Sequence, residues 1–308
     1  MCYSAMVWQA LAEYLRVMGA TPDLQQFEQL FAQRLTDKSI RIPRGFERNF
    51  DNPTNPAEKR IKDLIDQYRS MAAIALEQEL FAQKTRLAAA ERKLKVKETK
   101  TALKEQRVAT SLIQKHLERL ALLNTTRSHV DDPRIFPASF APVILRRDGA
   151  NTVVLARYQL RPKGEPAGYD KEHEGLYCAR SDNLWKFRRQ EFGRSHALMV
   201  IDSFYENVER DGRKAVLHFT PRPAQAMLVA CLYSEWGETQ PERMFTFAAI
   251  TDDPPAEIAA AGHNRCVVNI QRENVAAWLQ PEERTVNELQ GILTQRQQPY
   301  YEHQVEAA

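Results

Sequence analysis

The spacing of apolar and polar residues changes near residue 133 of this chain. Residues 57–132 contain neither Gly nor Pro, and their apolar residues recur every three or four positions, as on one face of a helix. One straight helix over most of this stretch would be about 100 Å long. It could bury its apolar stripe only by folding back or by pairing with another helix. The pattern therefore predicts a helical hairpin or a coiled coil.

After Pro133 the pattern is typical of short β-strands separated by turns that contain Gly. Seven runs define the predicted strands: APVILRR, NTVVLARYQL, SHALMVID, KAVLHF, AMLVACLY, MFTFAAIT and NRCVVNI. Helical segments are predicted at 254–261 and 273–279. The predicted fold class is α+β, with a strongly twisted or barrel-like sheet, flanking helices and an inserted long helical element.

These patterns divide the chain into four predicted regions. Residues 1–20 run into a short helical pattern and belong to the core. Residues 21–130 form the helical or coiled-coil insertion, and residues 131–282 form the main core. Residues 283–308 form a polar C-terminal helix and a loose tail.

The composition, 43% hydrophobic and 27% charged residues, is ordinary for a globular protein. With a net charge of only +3, any affinity for nucleic acid has to come from a local patch. We expect no secretory signal and no membrane span, because no suitable apolar stretch is present. The four cysteines form no CxxC pair, so we expect free thiols in a reducing cytoplasm. Without a metal-ligand cluster or a Gly-rich phosphate loop, we predict no metal and no cofactor.

One local patch is strongly basic. Residues 84–107 contain nine Lys or Arg residues and three Glu residues, a net charge of +6. The pattern favours a solvated helix face. The alternative is an arm that binds phosphates.

Cys2 becomes the N-terminal residue if Met1 is removed, and its small side chain suits that removal. An N-terminal cysteine carries an amine with a pKa of about 8 next to a thiol with a pKa of about 8.5. The amine condenses with an aldehyde to a Schiff base, and the sulfur closes it to a thiazolidine. On residue identity alone, however, an ordinary cysteine in a disordered terminus is the simpler interpretation.

Three further segments carry candidate functional residues. Glu206 follows two aromatic residues after an apolar run, where a partly apolar pocket can raise its pKa for acid/base work. His263 lies on a turn between a predicted helix and a strand, where it can shuttle protons. Arg180 follows a short strand and is suited to a phosphate. The simpler alternatives are a surface glutamate, a packed histidine and a surface salt bridge.

Taken in order, seven segments resemble the motifs of the SOS response-associated peptidase (SRAP) family. The segments MCYS (1–4), YQLRP (158–162) and CARSD (178–182) are similar to the family motifs MCGR, WGLxP and NARAE. FRRQEF (187–192) is similar to the aromatic-basic helix of the family, and ALMVIDSFYEN (197–207) to its CLIPADGFYEW motif. ACLYSEW (230–236) is similar to AGLWExW, and Thr251 with GHNRCV (262–267) to TxxA…HxRMP. The resemblance covers residues 1–5 and roughly 134–280.

This resemblance implies a chemistry. Such proteins remove their own initiator Met and capture the aldehyde of an abasic site in single-stranded DNA as a thiazolidine cross-link. The implied activity is that of an autoprocessing cysteine peptidase with lyase-type chemistry in the DNA damage response. The location implied is the cytoplasm, with nucleoid association when the protein is bound to DNA.

The same resemblance assigns roles to residues of this chain. Cys2 is the implied nucleophile, Glu206 the acid/base glutamate and His263 the histidine near the Schiff base. The implied DNA contacts are phosphate binding by Arg180 and Arg265 and stacking on a base by Tyr158. Cys178 stands where the family has an Asn that supports the reactive cysteine. A thiol is a poorer donor and acceptor than an amide, which predicts altered cross-link formation or stability.

Two alternatives remain open from the sequence. A catalytically weakened SRAP fold could serve as an interaction scaffold, with self-association or a protein partner at residues 57–123. A thiol peptidase acting in trans is the third hypothesis. Retention of Cys2, Glu206 and His263 together favours DNA capture.

Overall fold

The computed structural model describes residues 4–125, 129, 132–173, 175–210, 212–237 and 243–306. The chain divides into two compact units. The first unit contains Met1–Lys59 and Val130–Ala308, and the second unit is Arg60–His129.

The described chain contains helices and strands of very different lengths. The helices are α1 (Leu11–Met18), α2 (Leu24–Arg34), α3 (Arg44–Glu47), α4 (Pro56–Val96), α5 (Lys100–Asn124), α6 (Tyr169–Glu172), α7 (Leu184–Phe187), α8 (Ala256–Ala260), α9 (Val275–Trp278) and α10 (Val286–Thr294). The strands are β1 (Ser4–Val7), β2 (Thr21–Pro22), β3 (Arg134–Ile135), β4 (Phe140–Arg147), β5 (Ala150–Tyr158), β6 (Cys178–Arg180), β7 (His196–Arg210), β8 (Arg213–Arg222), β9 (Met227–Trp236), β10 (Met244–Asp252), β11 (Cys266–Val267) and β12 (Tyr300–Val305).

Five strands of the first unit close into a barrel. Going round it, β5 pairs with β4, β4 with β7, β7 with β9 and β9 with β10, all antiparallel. The barrel closes where β10 pairs with β5 in parallel. Closure leaves no free edge among these five strands. The predicted α+β class with a barrel-like sheet is confirmed.

The barrel interior is an apolar core. Side chains such as Val143, Val154 and Met199 are completely buried within it. Burying an aliphatic side chain of this size stabilises the fold by about 1.5–3 kcal/mol. The core therefore holds the strand ends, and the side chains carried there, in fixed positions.

Strand β7 is the longest strand and joins two parts of the sheet. Its first half pairs with β9 as far as Ile201, and its second half pairs with β8 from Phe204 onward. Strand β1 lies beside the middle of β7, with Ser4 opposite Tyr205. The start of the described chain is thereby placed next to Tyr205 and its neighbour Glu206.

Residues 21–59, assigned from the sequence to the insertion, belong to the first unit. The ring of Phe27 on α2 packs edge-on against Phe46 and Phe50, with centroid distances of 5.2 and 6.4 Å. This aromatic cluster is buried. Its packing explains why the segment forms part of the core unit.

The C-terminal region contains the expected helix, but the expected loose tail is a strand. Thr285 and Glu288 form a capping box that starts α10. Residues Tyr300–Val305 form β12, which pairs along its whole length with β8. The backbone hydrogen bonds of this pairing order a segment whose side chains are mostly polar.

The second unit is an antiparallel helical hairpin of α4 and α5. Lys93 lies 3.5 Å from Glu105, and His116 lies 3.5 Å from Glu79, which sets the antiparallel register. The contact side of α5 repeats every seven residues, with Ala102, Ala109 and His116 buried. The predicted hairpin is confirmed. Within the described ranges, no helix combines the length and apolar character needed to cross a membrane.

Candidate active site

A carboxylate and an imidazole meet inside the first unit. Oε2 of Glu206 lies 3.3 Å from Nε2 of His263. The Glu206 side chain has no exposed surface, and that of His263 is 8% exposed. Two groups that can exchange a proton are therefore held together out of bulk solvent.

The protonation of His263 follows from its contacts. Its Nδ1 lies 2.9 Å from the carbonyl oxygen of Arg265, which can only accept, so Nδ1 carries a hydrogen. Burial lowers the pKa of His263 below its ordinary value of 6.5, so the ring is neutral at pH 7. In the neutral ring Nε2 is an acceptor, and it faces the carboxyl group of Glu206. This arrangement suits transfer of a single proton.

Alternation along β7 places Glu206 on the inner side. Phe204 and Val208, two positions before and after it, both belong to the buried core. The sequence pattern ended the predicted strand at Asp202, but β7 continues through Glu206 to Arg210. The position of Glu206 is therefore fixed by pairing with Leu217 of β8 and not by a turn. As expected, His263 follows a helix, α8, and precedes strand β11.

Two arginines approach the end of β10 from opposite sides. Thr251 pairs with Arg180 on β6 and with Val267 on β11, just after Arg265. Arg180 binds Asp182 at 2.8 Å and Asp253 at 3.3 Å. The hydrogen bond from Arg180 lowers the pKa of the Asp182 carboxyl, and the charge of Arg265 lowers it further. The cluster combines two cations with exposed carboxylates that an anionic ligand can displace.

Two buried polar atoms in this cluster form no hydrogen bond within the described part of the chain. They are Nε of Arg265 and Oγ1 of Thr251. Leaving such an atom unsatisfied costs about 1–3 kcal/mol. Each such atom calls for an explanation, and a bound ligand or ordered water would supply one.

A cleft of about 190 Å³ lies next to these arginines, lined by Cys178, Ala179, Arg180, Asn183, Phe187 and Arg188. The Phe187 ring is 65% exposed, and the nearby Trp185 ring is 48% exposed. Exposed aromatic rings beside basic residues can stack on nucleic-acid bases. Trp185 was not among the predicted site residues, and Phe187 was quoted only as the first residue of the aromatic-basic segment FRRQEF (187–192).

The expectation that Tyr158 stacks on a base is wrong. Tyr158 has no exposed surface and stacks on Phe247 at 5.1 Å. A ring enclosed in this way has no face left for a ligand. Its hydroxyl lies 4.0 Å from the sulfur of Cys178, so Tyr158 supports the wall of the cleft.

The described cysteines Cys178, Cys231 and Cys266 are free thiols. Burial, followed by the charge of Glu206, raises the pKa of Cys266 to about 12. Burial also raises the pKa of Cys231 well above its ordinary value. Neither buried thiol is a competent nucleophile at neutral pH. Cys178 is partly exposed, at the cleft.

The start of β1 is fixed by Arg134. Its Nε donates to Oγ of Ser4 at 3.0 Å, and its guanidinium lies 3.6 Å from the centroid of the Tyr205 ring. The same guanidinium forms a bidentate ion pair with Glu306. Cys2 lies outside the described residues. Ser4, two residues further on, is thus attached to the strand that carries Glu206.

Fold and site together define a barrel protein with a buried carboxyl–imidazole pair and two arginines at the end of β10. The sequence model of the SOS response associated peptidase (SRAP) family matches residues 97–308. The chain belongs to this family. The matched region covers more than half of the sequence and contains both Glu206 and His263.

Three solved structures are similar to this chain. A protein from Bacteroides thetaiotaomicron has a TM-score of 0.48 and 17% identity, and the match covers 56% of this chain and 76% of that chain. A protein from Bordetella bronchiseptica has a TM-score of 0.48 and 18% identity, and the match covers 57% of this chain and 88% of that chain. A phage-related protein from Bordetella bronchiseptica has a TM-score of 0.44 and 18% identity, and the match covers 57% of this chain and 81% of that chain. A comparison with curated proteins returned no match.

Proposed function

We propose that this protein removes its own Met1 and then uses Cys2 to capture abasic sites in single-stranded DNA as a thiazolidine cross-link. The observation that carries the proposal is the buried Glu206–His263 pair beside two arginines. These groups match, position by position, the acid/base and phosphate-binding residues that the family resemblance implies.

The location of β1 supports the role of Cys2. Ser4 pairs with Tyr205, the neighbour of Glu206. Two peptide units separate Cys2 from Ser4, so their Cα atoms are at most about 8 Å apart. Covalent geometry alone therefore keeps the proposed reactive residue within reach of the segment that contains Tyr205 and Glu206, which supports the proposal.

The proposed reaction balances without an oxidant or a cofactor. The Cys2 amine adds to C1′ of the ring-opened abasic sugar, and loss of one water gives a Schiff base. The Cys2 sulfur then adds to the same carbon, and its proton ends on the nitrogen. Both steps need proton transfer at nitrogen and oxygen, which the Glu206–His263 pair can supply.

Arg180 and Arg265 support binding of the DNA strand. Phosphates would displace Asp182 and Asp253 from Arg180, replacing one charge-assisted contact by another. The exposed Phe187 ring, in place of Tyr158, is the proposed stacking surface for a base.

A denaturing gel of the purified protein with an abasic single-stranded oligonucleotide tests the proposal. Intact mass should first show that Met1 is absent. The native protein should then form an adduct that survives denaturation, and Cys2→Ala should form none. An undamaged oligonucleotide is the matched control. Loss of Met1 without any adduct under these conditions would contradict the proposed DNA capture.

The Cys178→Asn variant tests the departure from the family pattern. Asn at this position restores an amide donor and acceptor at the cleft that contains Arg180. We expect faster formation or slower loss of the adduct, read from the same gel over time. If the adduct forms and is lost at the same rates as with the native protein, position 178 has no supporting role.

One observation favours a second candidate function, a scaffold based on the hairpin. Seven of its large apolar side chains are exposed: Met71, Ile74, Phe81, Val96, Leu103, Leu117 and Leu122. Exposed apolar surface of this extent is typical of an interaction site. Light scattering of the purified protein would then give the mass of an oligomer.

A further inference from the structure

The tip of the hairpin, residues 84–107, is a concentrated positive surface. Its nine Lys and Arg side chains are all exposed. The sequence left two interpretations of this run open, a solvated helix face and an arm that binds phosphates. The hairpin adds a new fact, because the turn between Val96 and Lys100 brings the charges of α4 and α5 to the same end.

The charges surround the tip and do not form one face. Arg92 and Lys95 lie about 60° apart on α4, Lys93 lies about 100° from Arg92 on the other side, and Lys97 follows in the turn after α4. Lys93 is close to Glu105. Lys95, Lys97, Lys100 and Lys104 have no acidic partner within ion-pair distance among the described residues, so these four cations are available to a ligand.

The distribution of apolar residues distinguishes between polyanions. A helix that lies on a membrane puts its charges on one face and a broad apolar face on the other. The tip instead exposes only two large apolar side chains, Val96 and Leu103. Charges on several sides and little apolar surface fit a nucleic-acid backbone better than a lipid surface.

We propose that the tip binds the phosphate backbone of duplex DNA without sequence preference. This contact lies in the second unit and uses none of the groups of the candidate active site. Because both units belong to one chain, DNA held at the tip raises the effective concentration of DNA at the first unit. The inference goes beyond the proposed cross-linking and does not depend on Cys2.

The test measures binding of undamaged duplex DNA as a function of salt, in full-length protein that also carries Cys2→Ala. The test variant changes Lys95, Lys97, Lys100 and Lys104 to Gln. Gln has a helix propensity close to that of Lys, so the hairpin is preserved. Each lysine that neutralises a phosphate contributes about 0.9 to the slope of log K against log salt. We expect the slope to fall by about 3–4 and the affinity at low salt to fall at least tenfold.

The matched control removes four positive charges outside the tip, changing Lys59, Arg60, Lys115 and Arg119 to Gln. All four residues are exposed in the structure. This variant should keep most of the affinity and slope, and circular dichroism should show equal helix content in both variants. Equal losses in the two variants would overturn the proposal, because general charge would then explain binding.

A second arm uses vesicles containing anionic phospholipid. If the four tip substitutions abolish vesicle binding but leave DNA binding unchanged, the partner is a lipid surface and the proposal is wrong. Because the readout is reversible binding of undamaged DNA, it succeeds or fails independently of the abasic-site cross-link.

Discussion

At the scale of single residues, the central feature is a buried carboxyl group next to an imidazole. Glu206 has no exposed surface, and its contact with His263 measures 3.3 Å. The backbone carbonyl of Arg265 fixes the orientation of the ring through Nδ1. Such a pair acts as a unit, so removal of either partner should affect proton transfer and not DNA affinity.

The Glu206→Gln variant tests this view. Gln keeps the size of the side chain but cannot give or take the proton, so we expect adduct formation to slow by about 10²- to 10⁴-fold. Glu209→Gln is the matched control, because Glu209 lies on the same strand and is exposed. The rate is measured by quenching the reaction on a denaturing gel. Equal rates for the native protein and Glu206→Gln would exclude the acid/base role.

Local pattern made Glu206 and His263 candidates and the family resemblance implied their roles, but neither predicted their contact. Each residue adjoins a recognisable apolar run or a turn, whereas the contact depends on pairing between distant strands. Tyr158 was misjudged for the same reason. Its burial results from the parallel pairing of β5 with β10, which sets Tyr158 opposite Phe247. Nothing near residue 158 encodes that pairing.

At the scale of elements, the hairpin could be predicted because residues 57–132 contain neither Gly nor Pro, the two residue types that break helices. Strand β12 could not be predicted from the sequence. Its sequence YYEHQV has no clear apolar alternation, and its order comes from hydrogen bonds to β8. An edge strand held by its backbone leaves little trace in side-chain pattern.

The attachment of β1 leads to a prediction about Arg134. Replacing it by Lys keeps the charge but removes the bidentate contact with Glu306 and the planar stacking on Tyr205. We expect about tenfold slower adduct formation at saturating DNA, with unchanged DNA affinity, because β1 becomes less well positioned.

Arg147→Lys is the control for this substitution. Arg147 also forms an ion pair, with Asp23 at 3.0 Å, but lies on β4. Gel assays give the adduct rate, and fluorescence anisotropy gives the affinity. If both variants slow the reaction equally, the effect is a general loss of stability and not positioning.

At the scale of the whole molecule, a buried histidine should set the acid limit of stability. His196 lies between Phe192 and Trp278, and burial lowers its pKa to about 3. Nε2 accepts a hydrogen bond from the Gly193 backbone at 2.9 Å, so a proton cannot be added there without breaking that bond.

The sign of the pH effect follows from these pKa values. Between about pH 6.5 and 3 the unfolded chain binds a proton at residue 196 that the folded chain does not, so stability falls as the pH is lowered through this range. At pH 4.5 the expected loss of unfolding free energy is about 2–3 kcal/mol. Denaturant unfolding at pH 7 and 4.5 measures it.

His196→Gln should reduce this pH dependence, and His173→Gln, at an exposed position, should not. A native protein equally stable at both pH values would show that the folded barrel accommodates the charged ring.

The bidentate contact between Arg134 and Glu306 has a practical consequence. Through Arg134, Glu306 is connected to Ser4, so Glu306 lies close to the start of β1. Under the proposed function, an affinity tag attached after Glu306 would compete with the DNA, and one added before Cys2 would block the free amine. Purification of an active form therefore calls for a cleavable tag or an internal one.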